Sequence, residues 1–203
     1  MGLREVNAAR TRELILDAAL RLFLERGYDA TRMEEVAEAA GVGTSTLYRY
    51  FPTKDLLVLE PLALRGQMAT ELRGRPAGEP LDVALGHAVV ALLATPRAGV
   101  ERLRQLTTVV EGAETLQVRL MEEFRRERAG LEAAVAQRLG RPPDDLYCVA
   151  TARLATLVLE LVSDRLGSLP DDPAAAEQQL LALTREVMAG LQAEPPVLPR
   201  YEG

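Results

Sequence analysis

The sequence is poor in the residues that build metal sites, disulfides and aromatic clusters. Its 203 residues include one cysteine, Cys148, one histidine, His87, five tyrosines, three phenylalanines and no tryptophan. A single cysteine excludes an internal disulfide and any cysteine-cluster site, and one histidine leaves a zinc or haem site short of ligands. We therefore expect no metal and no cofactor.

Long apolar runs are also lacking. Charged residues interrupt the apolar stretches before they reach the ~18 residues that a membrane span needs, and the N-terminal stretch MGLREVNAARTR has no apolar core of the signal-peptide kind. The composition, 48% apolar and 27% charged, is that of a folded chain with one or two domains. We expect a cytoplasmic protein without a membrane partner.

The sequence motifs of common catalytic sites do not occur. There is no G-x-S-x-G nucleophile elbow and no glycine-rich phosphate loop, and the only histidine stands in an apolar segment away from any nucleophile pattern. The adjacent Glu122 and Glu123 would point to different sides of a helix, as solvated charges do. The sequence therefore predicts a binding protein and not an enzyme.

Charge is unevenly distributed along the chain. Residues 1–54 carry eight basic and eight acidic side chains, whereas the remainder carries sixteen basic and twenty-two acidic ones, which gives the net charge of −6. Arg4, Arg10 and Arg12 cluster at the N-terminus, and Lys54 is the only lysine of the chain. This pattern indicates a small domain without net charge, in which the charges are unevenly placed, attached to an acidic body.

Apolar spacing predicts an all-α fold of about nine helices with no strand. Breaks at glycine and proline separate the helical segments. The predicted helices are, approximately, Ala9–Arg26, Arg32–Ala40, a short one that runs through Leu47 to Tyr50, Thr53–Leu72, Leu81–Thr95, Val100–Val110, Glu114–Leu139, Asp145–Leu166 and Ala174–Leu191.

The second and third predicted helices have the pattern of a helix-turn-helix. Thr31 and Glu34 form a T-x-x-E capping box at the start of the first of the two helices, and Gly41 makes the turn between them. The small Ala37 lets the two helices cross closely, and Leu47 of the second helix would face the core. In this motif the second helix enters the DNA major groove with its N-terminal end. The residues expected on bases or phosphates are Thr44, Ser45 and Thr46, with Tyr48, Tyr50 and Lys54 on the sugar-phosphate backbone.

From Arg10 to Leu57 the sequence resembles the tetracycline-repressor (TetR) family of bacterial regulators. The resemblance rests on LFLERGYDAT, MEEVAEAAGV and TLYRYFPTKDLL. It implies DNA contacts at Thr44, Ser45, Thr46, Tyr48, Tyr50 and Lys54, with Arg32 also facing DNA. The chain departs from the family pattern at Arg32, Gly43 and Ser45, which leaves the operator sequence open.

Several of these residues have alternative structural roles. Tyr48 and Phe51 could pack between the first and fourth helices, and Lys54 could be a solvated helix start. The N-terminal arginines form either a DNA-contacting arm or a frayed basic end.

The resemblance implies a helix-turn-helix DNA-binding domain at residues 1–54 and an effector-binding and dimerisation domain at residues 55–203. The implied protein is a ligand-responsive transcriptional repressor, which binds a palindromic operator as a homodimer and is released by a mostly apolar small molecule. The alternative is an activator, or a helical ligand-binding protein, on the same fold.

The last two helices are predicted to form the homodimer interface, because they are apolar on more than one face. The alternative is that both pack only within their own domain. The predicted interface residues are Leu154, Leu157, Val158, Leu161, Leu180, Leu183, Val187 and Leu191.

The apolar helix Leu81–Thr95 is the predicted wall of an effector cavity. Its His87 would be a buried imidazole hydrogen-bonded to a ligand or to another part of the protein. A continuous fourth helix, Thr53–Leu72, would carry the ligand signal to the DNA-binding domain. The candidate effector residues are Met68, His87, Leu92, Leu106, Met121, Phe124, Tyr147 and Glu160.

Overall fold

The computed structural model describes residues 2–62, 66–94, 99–195 and 197, and secondary structure in these ranges is helical, as predicted. A short 3-10 turn, Leu166–Ser168, follows the ninth helix. The helices are α1 (Leu3–Arg26), α2 (Met33–Ala39), α3 (Thr44–Tyr50), α4 (Leu56–Leu62), α5 (Gln67–Gly74), α6 (Leu81–Ala94), α7 (Gly99–Glu111), α8 (Glu114–Leu139), α9 (Leu146–Ser163) and α10 (Pro173–Ala193).

The chain divides into two compact units. The first comprises Met1–Ala63 and Glu101–Phe124, and the second comprises Leu64–Val100 and Arg125–Gly203. The first unit therefore includes α4, most of α7 and the first part of α8 besides the predicted helix-turn-helix.

The core of the first unit is built from the apolar stripe of α1. Ile15, Ala19 and Phe23 are buried there, as their spacing predicted, and they pack with Leu47 and Phe51 from the region of α3. Each large side chain removed from water in this way contributes roughly 1.5–3 kcal/mol. Residues of α7 and α8 complete the same core: Leu106, Val109, Val110 and Leu116.

The start of α2 differs from the prediction by one residue. Arg32 is the N-cap, and its backbone N–H donates to Glu35 Oε2 at 2.8 Å. The Thr31 hydroxyl instead donates backwards to the Gly27 carbonyl at 2.9 Å, because Thr31 is buried against the end of α1. The predicted Thr31–Glu34 capping box was wrong, and Glu34 is free for another contact.

The predicted continuous helix Thr53–Leu72 is interrupted, which raises the number of α-helices in the described ranges from nine to ten. α4 contains Pro61, which lacks a backbone N–H and disfavours helical geometry in the residue before it. Gly66 adopts a left-handed conformation with φ of 71°, and α5 begins at the next residue. A single rigid lever from residue 53 to residue 72 is therefore excluded.

Within the second unit, α8 side chains hold both ends of α5. The Glu127 carboxylate accepts the backbone N–H groups of Gly66 and Met68 at the start of α5. The Arg138 guanidinium donates to backbone carbonyls just beyond its end, including those of Pro76 at 2.6 Å and Glu79 at 2.8 Å. Each charge matches the dipole of the helix end that it meets.

The core of the second unit lies among α5, α6, the second part of α8, α9 and α10. Small residues let the helices approach closely, since Ala84, Ala88 and Ala152 are fully buried. Larger apolar side chains fill the remaining space: Met68, Leu72, Val89, Cys148, Leu159, Val162 and Leu180.

Candidate nucleic-acid interface

α2 and α3 form the predicted helix-turn-helix. Gly41 has φ of 67°, a conformation that favours glycine, and it reverses the chain after α2. The Val42 N–H then donates to the Ala37 carbonyl at 3.0 Å, which closes the turn. Val36 and Leu47 are fully buried on the inner sides of the two helices. The outer side of α3 is therefore left to solvent.

The N-terminal end of α3 carries exposed hydroxyl groups. Thr44 and Ser45 are exposed at its first two positions, while Thr46 is partly buried. Gly43 caps the helix without a side chain, so no group covers these positions from the preceding turn. Small hydroxylated residues in such a place can reach base edges or phosphates.

Tyr48 lies at the surface and not between α1 and α4. It is 42% exposed, and its phenol donates to Glu34 Oε1 at 3.3 Å. Partial burial and the nearby Glu34 carboxylate raise the pKa of the phenol, so it remains a hydrogen-bond donor. Phe51, by contrast, is fully buried, as expected, with the Arg12 guanidinium 4.5 Å from its ring centroid.

Lys54 is partly exposed, and its ammonium contacts the protein backbone. Its ammonium donates to the backbone carbonyls of Tyr28 at 2.8 Å, Thr31 at 3.1 Å and Asp29 at 3.4 Å. It also lies 4.2 Å from the centroid of the Tyr28 ring. The Lys54 ammonium therefore ties the start of α4 to the loop between α1 and α2.

The N-terminal arginines have different surroundings. Arg12 forms an ion pair with Glu60, whereas Arg4 and Arg10 are exposed along α1, which begins at Leu3 and not near residue 9. Arg49 was missed by the sequence reasoning. It is exposed on α3, 5.5 Å from the Tyr50 ring, and its position between two predicted DNA-contacting tyrosines was the signal.

Comparison with known proteins agrees with this arrangement. Residues 15–60 match the family described as bacterial regulatory proteins of the tetR family, and residues 79–194 match the MftR C-terminal domain. The chain belongs to the TetR family. The second match alone covers more than half of its length, so the assignment does not rest on the helix-turn-helix only.

Among TetR-family relatives, the transcriptional regulator TcmR of Streptomyces glaucescens is 38% identical over 99 residues, 48% of this chain and 44% of TcmR. The repressor KstR of Rhodococcus jostii is 45% identical over 73 residues, 35% of this chain and 34% of KstR. The match thus spans less than half the length of either protein. The uncharacterized regulator Rv1255c of Mycobacterium tuberculosis is 30% identical over 176 residues, 85% of this chain and 72% of Rv1255c.

A solved structure has the same fold. NalD of Pseudomonas aeruginosa superposes with a TM-score of 0.57, at 24% identity, over 89% of this chain and 97% of NalD.

The eight candidate effector residues do not form one group within either unit. Leu106, Met121 and Phe124 belong to the first unit, where Leu106 is part of the core and Met121 is 71% exposed. The other five belong to the second unit. There, Met68 is buried, Leu92 is partly buried, and His87, Tyr147 and Glu160 are exposed.

The expected buried imidazole was wrong. The His87 side chain is 54% exposed, and its Nε2 lies 4.0 Å from Glu79 Oε1. Glu79 forms an ion pair with Arg75, and hydrogen bonding from that guanidinium lowers the pKa of the Glu79 carboxyl. An apolar helix can carry an exposed histidine on the side that faces away from its neighbours.

Two further candidates have polar partners of their own within the second unit. Glu160 lies 3.9 Å from the Arg128 guanidinium, and the Arg141 guanidinium lies 4.9 Å from the Tyr147 ring centroid. Both side chains are at the surface.

The predicted interface residues fall into three groups. Val158, Leu180 and Val187 are buried inside the protomer, so they belong to its own core and the prediction that they face a partner was wrong. Leu154 is 52% exposed. The remaining four are partly buried: Leu157, Leu161, Leu183 and Leu191.

An apolar stripe runs along the outer side of α9. Leu146 and Leu154 are exposed, and Leu157 and Leu161 continue the stripe toward the end of the helix at partly buried positions. The spacing of three, four and eight residues keeps them on one face. This stripe is the apolar surface available for a partner.

α9 and the turn after it, Leu146–Ser168, form the one helical stretch in the described ranges that is long and apolar enough to cross a membrane. Charged residues still interrupt this stretch, as expected. Its charged residues are Arg153, which pairs with Glu132 at 3.5 Å, Glu160, Asp164 and Arg165. One face of α9 is buried in the second unit, as in the core helix of a folded protein.

Proposed function

We propose that this TetR-family protein is a cytoplasmic transcriptional repressor that binds a near-palindromic operator as a homodimer and is released by a small, mostly apolar molecule. The names of KstR and NalD, both described as repressors, support this direction of control. An activator on the same fold is the second candidate.

The observation that carries the proposal is the free outer side of α3. Thr44 and Ser45 are exposed at the end of the helix that enters the major groove in a helix-turn-helix, and Tyr48 and Arg49 lie exposed one turn further along. We assign base contacts to Thr44, Ser45 and Thr46. The proposed backbone contacts are Arg32, Tyr48, Arg49, Tyr50 and Lys54.

The homodimer is supported by the apolar stripe on α9. A helix-turn-helix reads two half-sites about one helical turn apart through two copies related by a two-fold axis. The exposed Leu154 lies in the middle of the stripe and meets its own counterpart in such a pairing. Leu157, Leu161, Leu183 and Leu191 extend the interface.

We infer a mostly apolar effector from the apolar character of the second unit, in which Met68 and Leu92 lie on the adjoining helices α5 and α6. A TetR-like fold is also that of SmeT in its complex with triclosan, which superposes with a TM-score of 0.53 at 22% identity. If the effector weakens operator binding by some factor, operator DNA must weaken effector binding by that same factor.

The experiment is a footprint of the purified protein on DNA from upstream of its own gene. We expect protection that is symmetric about a dyad, with two chains per duplex. Transcription from that promoter with and without the protein then separates repression from activation. Uniform protection at every concentration would contradict sequence-specific binding.

A further inference from the structure

An acidic side chain lies among the proposed contacts with the DNA backbone. Glu34 is exposed in the first turn of α2, and its Oε1 accepts a hydrogen bond from the phenol of Tyr48, on α3, at 3.3 Å. Arg32 precedes Glu34 by two residues and Arg49 follows Tyr48, and both arginines are exposed. A carboxylate in such a place repels the phosphates of any duplex that these residues meet, so it opposes DNA binding.

The cap of α2 does not account for this carboxylate. The backbone N–H of Arg32 donates to Glu35, whose carboxylate also pairs with Arg26 at 3.1 Å. The helix dipole favours a carboxylate anywhere in the first turn, and Glu35 already supplies one. The contact that distinguishes Glu34 from Glu35 is the hydrogen bond with Tyr48.

The hydrogen bond between Glu34 and Tyr48 can be exchanged for another. Its length of 3.3 Å exceeds the value of about 2.7–2.8 Å that is usual between two oxygen atoms, so the bond is weak. Tyr48 is also 42% exposed. A phenol has a single O–H to donate. If this hydroxyl binds a DNA phosphate, it must therefore leave Glu34.

We propose that Glu34 competes with DNA phosphate for the phenol of Tyr48 and thereby weakens binding to DNA of any sequence. The inference rests on the proposed function, in which Tyr48 contacts the DNA backbone. In the free protein the carboxylate accepts the phenol, and in the complex a phosphate oxygen, which is also anionic, takes its place. The phosphate contact then contributes only the difference between two hydrogen bonds of the same kind.

The first measurement tests the contact in the free protein. Partial burial and the Glu34 carboxylate raise the pKa of the Tyr48 phenol above its ordinary value of 10.0. Glu34→Gln keeps an acceptor and removes the charge, so the pKa of this phenol should fall. NMR of protein labelled with ¹³C at the ring carbon that bears the hydroxyl follows all five tyrosines, and Tyr48→Phe identifies the Tyr48 signal.

Glu38→Gln is the matched control for this titration. Glu38 is exposed one turn further along the same helix, and its substitution makes the same change of charge. We expect Glu38→Gln to lower the pKa of the Tyr48 phenol much less than Glu34→Gln does. Equal pKa values of this phenol in wild-type protein and Glu34→Gln would overturn the proposal, whatever the protein does with DNA.

The second measurement separates competition from simple repulsion. Dissociation constants are compared for wild-type protein, Glu34→Gln, Tyr48→Phe and the double variant, on one duplex of arbitrary sequence at one salt concentration. In the Tyr48→Phe background, Glu34→Gln reports repulsion alone, because the hydroxyl is absent. With the hydroxyl present, we expect Glu34→Gln to tighten binding by a factor about 3 to 5 times larger. Glu38→Gln should have the same effect on binding in both backgrounds.

A merely structural role of Glu34 would change the melting temperature and leave the two factors equal. Both side chains are exposed, so we expect the four proteins to melt within about 2 °C of one another. Equal factors would overturn the competition, as would weaker DNA binding by Glu34→Gln, which would make the carboxylate a support for the phenol.

The outcomes for this inference and for the proposed function differ. Equal factors among proteins that bind DNA would overturn the competition alone. If none of the four proteins binds any duplex, the proposed function fails and the competition fails with it, whereas a lowered pKa in Glu34→Gln would still show the contact in the free protein.

Discussion

Glu127 accepts the backbone N–H of Met68 at 3.0 Å, so that a carboxylate of α8 completes the N-terminus of α5. Its other oxygen accepts the N–H of Gly66, the residue at which the predicted long helix is interrupted. Glu127 is only 2% exposed, and it is the one buried carboxylate among the described residues. The contact explains why a helix of eight residues can begin at this point.

Glu127→Ala should destabilise the protein strongly. It leaves the buried N–H of Met68 and the partly buried N–H of Gly66 without their acceptor and creates a cavity. A buried group without a partner costs about 1–3 kcal/mol. We expect the free energy of unfolding in urea at pH 7 to fall by about 2–4 kcal/mol. The exposed Glu177→Ala is the control, with a change within about 0.5 kcal/mol. Equal effects of the two variants would show that the α5 start does not depend on Glu127.

The same carboxylate should contribute to the pH dependence of stability. Burial raises its pKa above the ordinary value of 4.5, although the N–H groups of Gly66 and Met68 act in the opposite direction. In the window above pH 4.5 the folded state then binds more protons than the unfolded state, so stability falls as pH rises through the folded pKa.

Glu127→Gln removes this titration. We expect the variant to show a flatter dependence of unfolding free energy on pH just above 4.5 than wild-type protein shows. Identical curves would contradict a raised pKa.

Leu154→Glu should separate the homodimer without unfolding the protomer. Leu154 is 52% exposed in the single chain, so a charge is solvated there until a partner covers it. Leu24, on α1, is similarly exposed, and Leu24→Glu is the control. We expect light scattering at micromolar concentration to find wild-type protein and Leu24→Glu as dimers and Leu154→Glu as a monomer. A dimeric Leu154→Glu would exclude the α9 stripe as the interface.

Tyr48→Phe tests the contact of α3 with the DNA backbone. The ring stays, and only the hydroxyl that Glu34 orients is lost. Because backbone contacts carry no sequence information, we expect an affinity loss of about 2- to 10-fold that is the same for all sequences. Tyr147→Phe, which removes an exposed phenol of α9, is the control. A change in base preference would place Tyr48 on a base instead.

The sequence predicted the helices best where local signals and burial agree. The bounds Glu114–Leu139 coincide with the observed α8, because Gly112 and Gly140 flank a long periodic segment. The third helix and the burial of Phe51 were also predicted correctly, because the glycine turn before the helix and the apolar spacing within it both indicate a helix packed on the core.

The contacts that failed prediction depend on distant parts of the chain. Gly66 can sit within a helical pattern, and the acceptor of its N–H, Glu127, lies 61 residues away. The carbonyls that hold Lys54 lie 23 to 26 residues before it. His87 looks like a buried residue from its apolar neighbours, although it occupies the outer face of α6. The spacing of apolar residues describes one helix at a time, so it cannot show contacts with residues far away in the sequence.

The central claim is that α3 reads a DNA sequence through its first residues. The direct measurement is the dissociation constant at physiological salt for a duplex with the footprinted dyad, compared with a scrambled duplex of equal composition. We expect the dyad to bind at least about 10³-fold more tightly, and Thr44→Ala and Ser45→Ala to reduce this ratio by changing base preference. Equal affinities for the two duplexes, or an unchanged preference in both variants, would contradict the account.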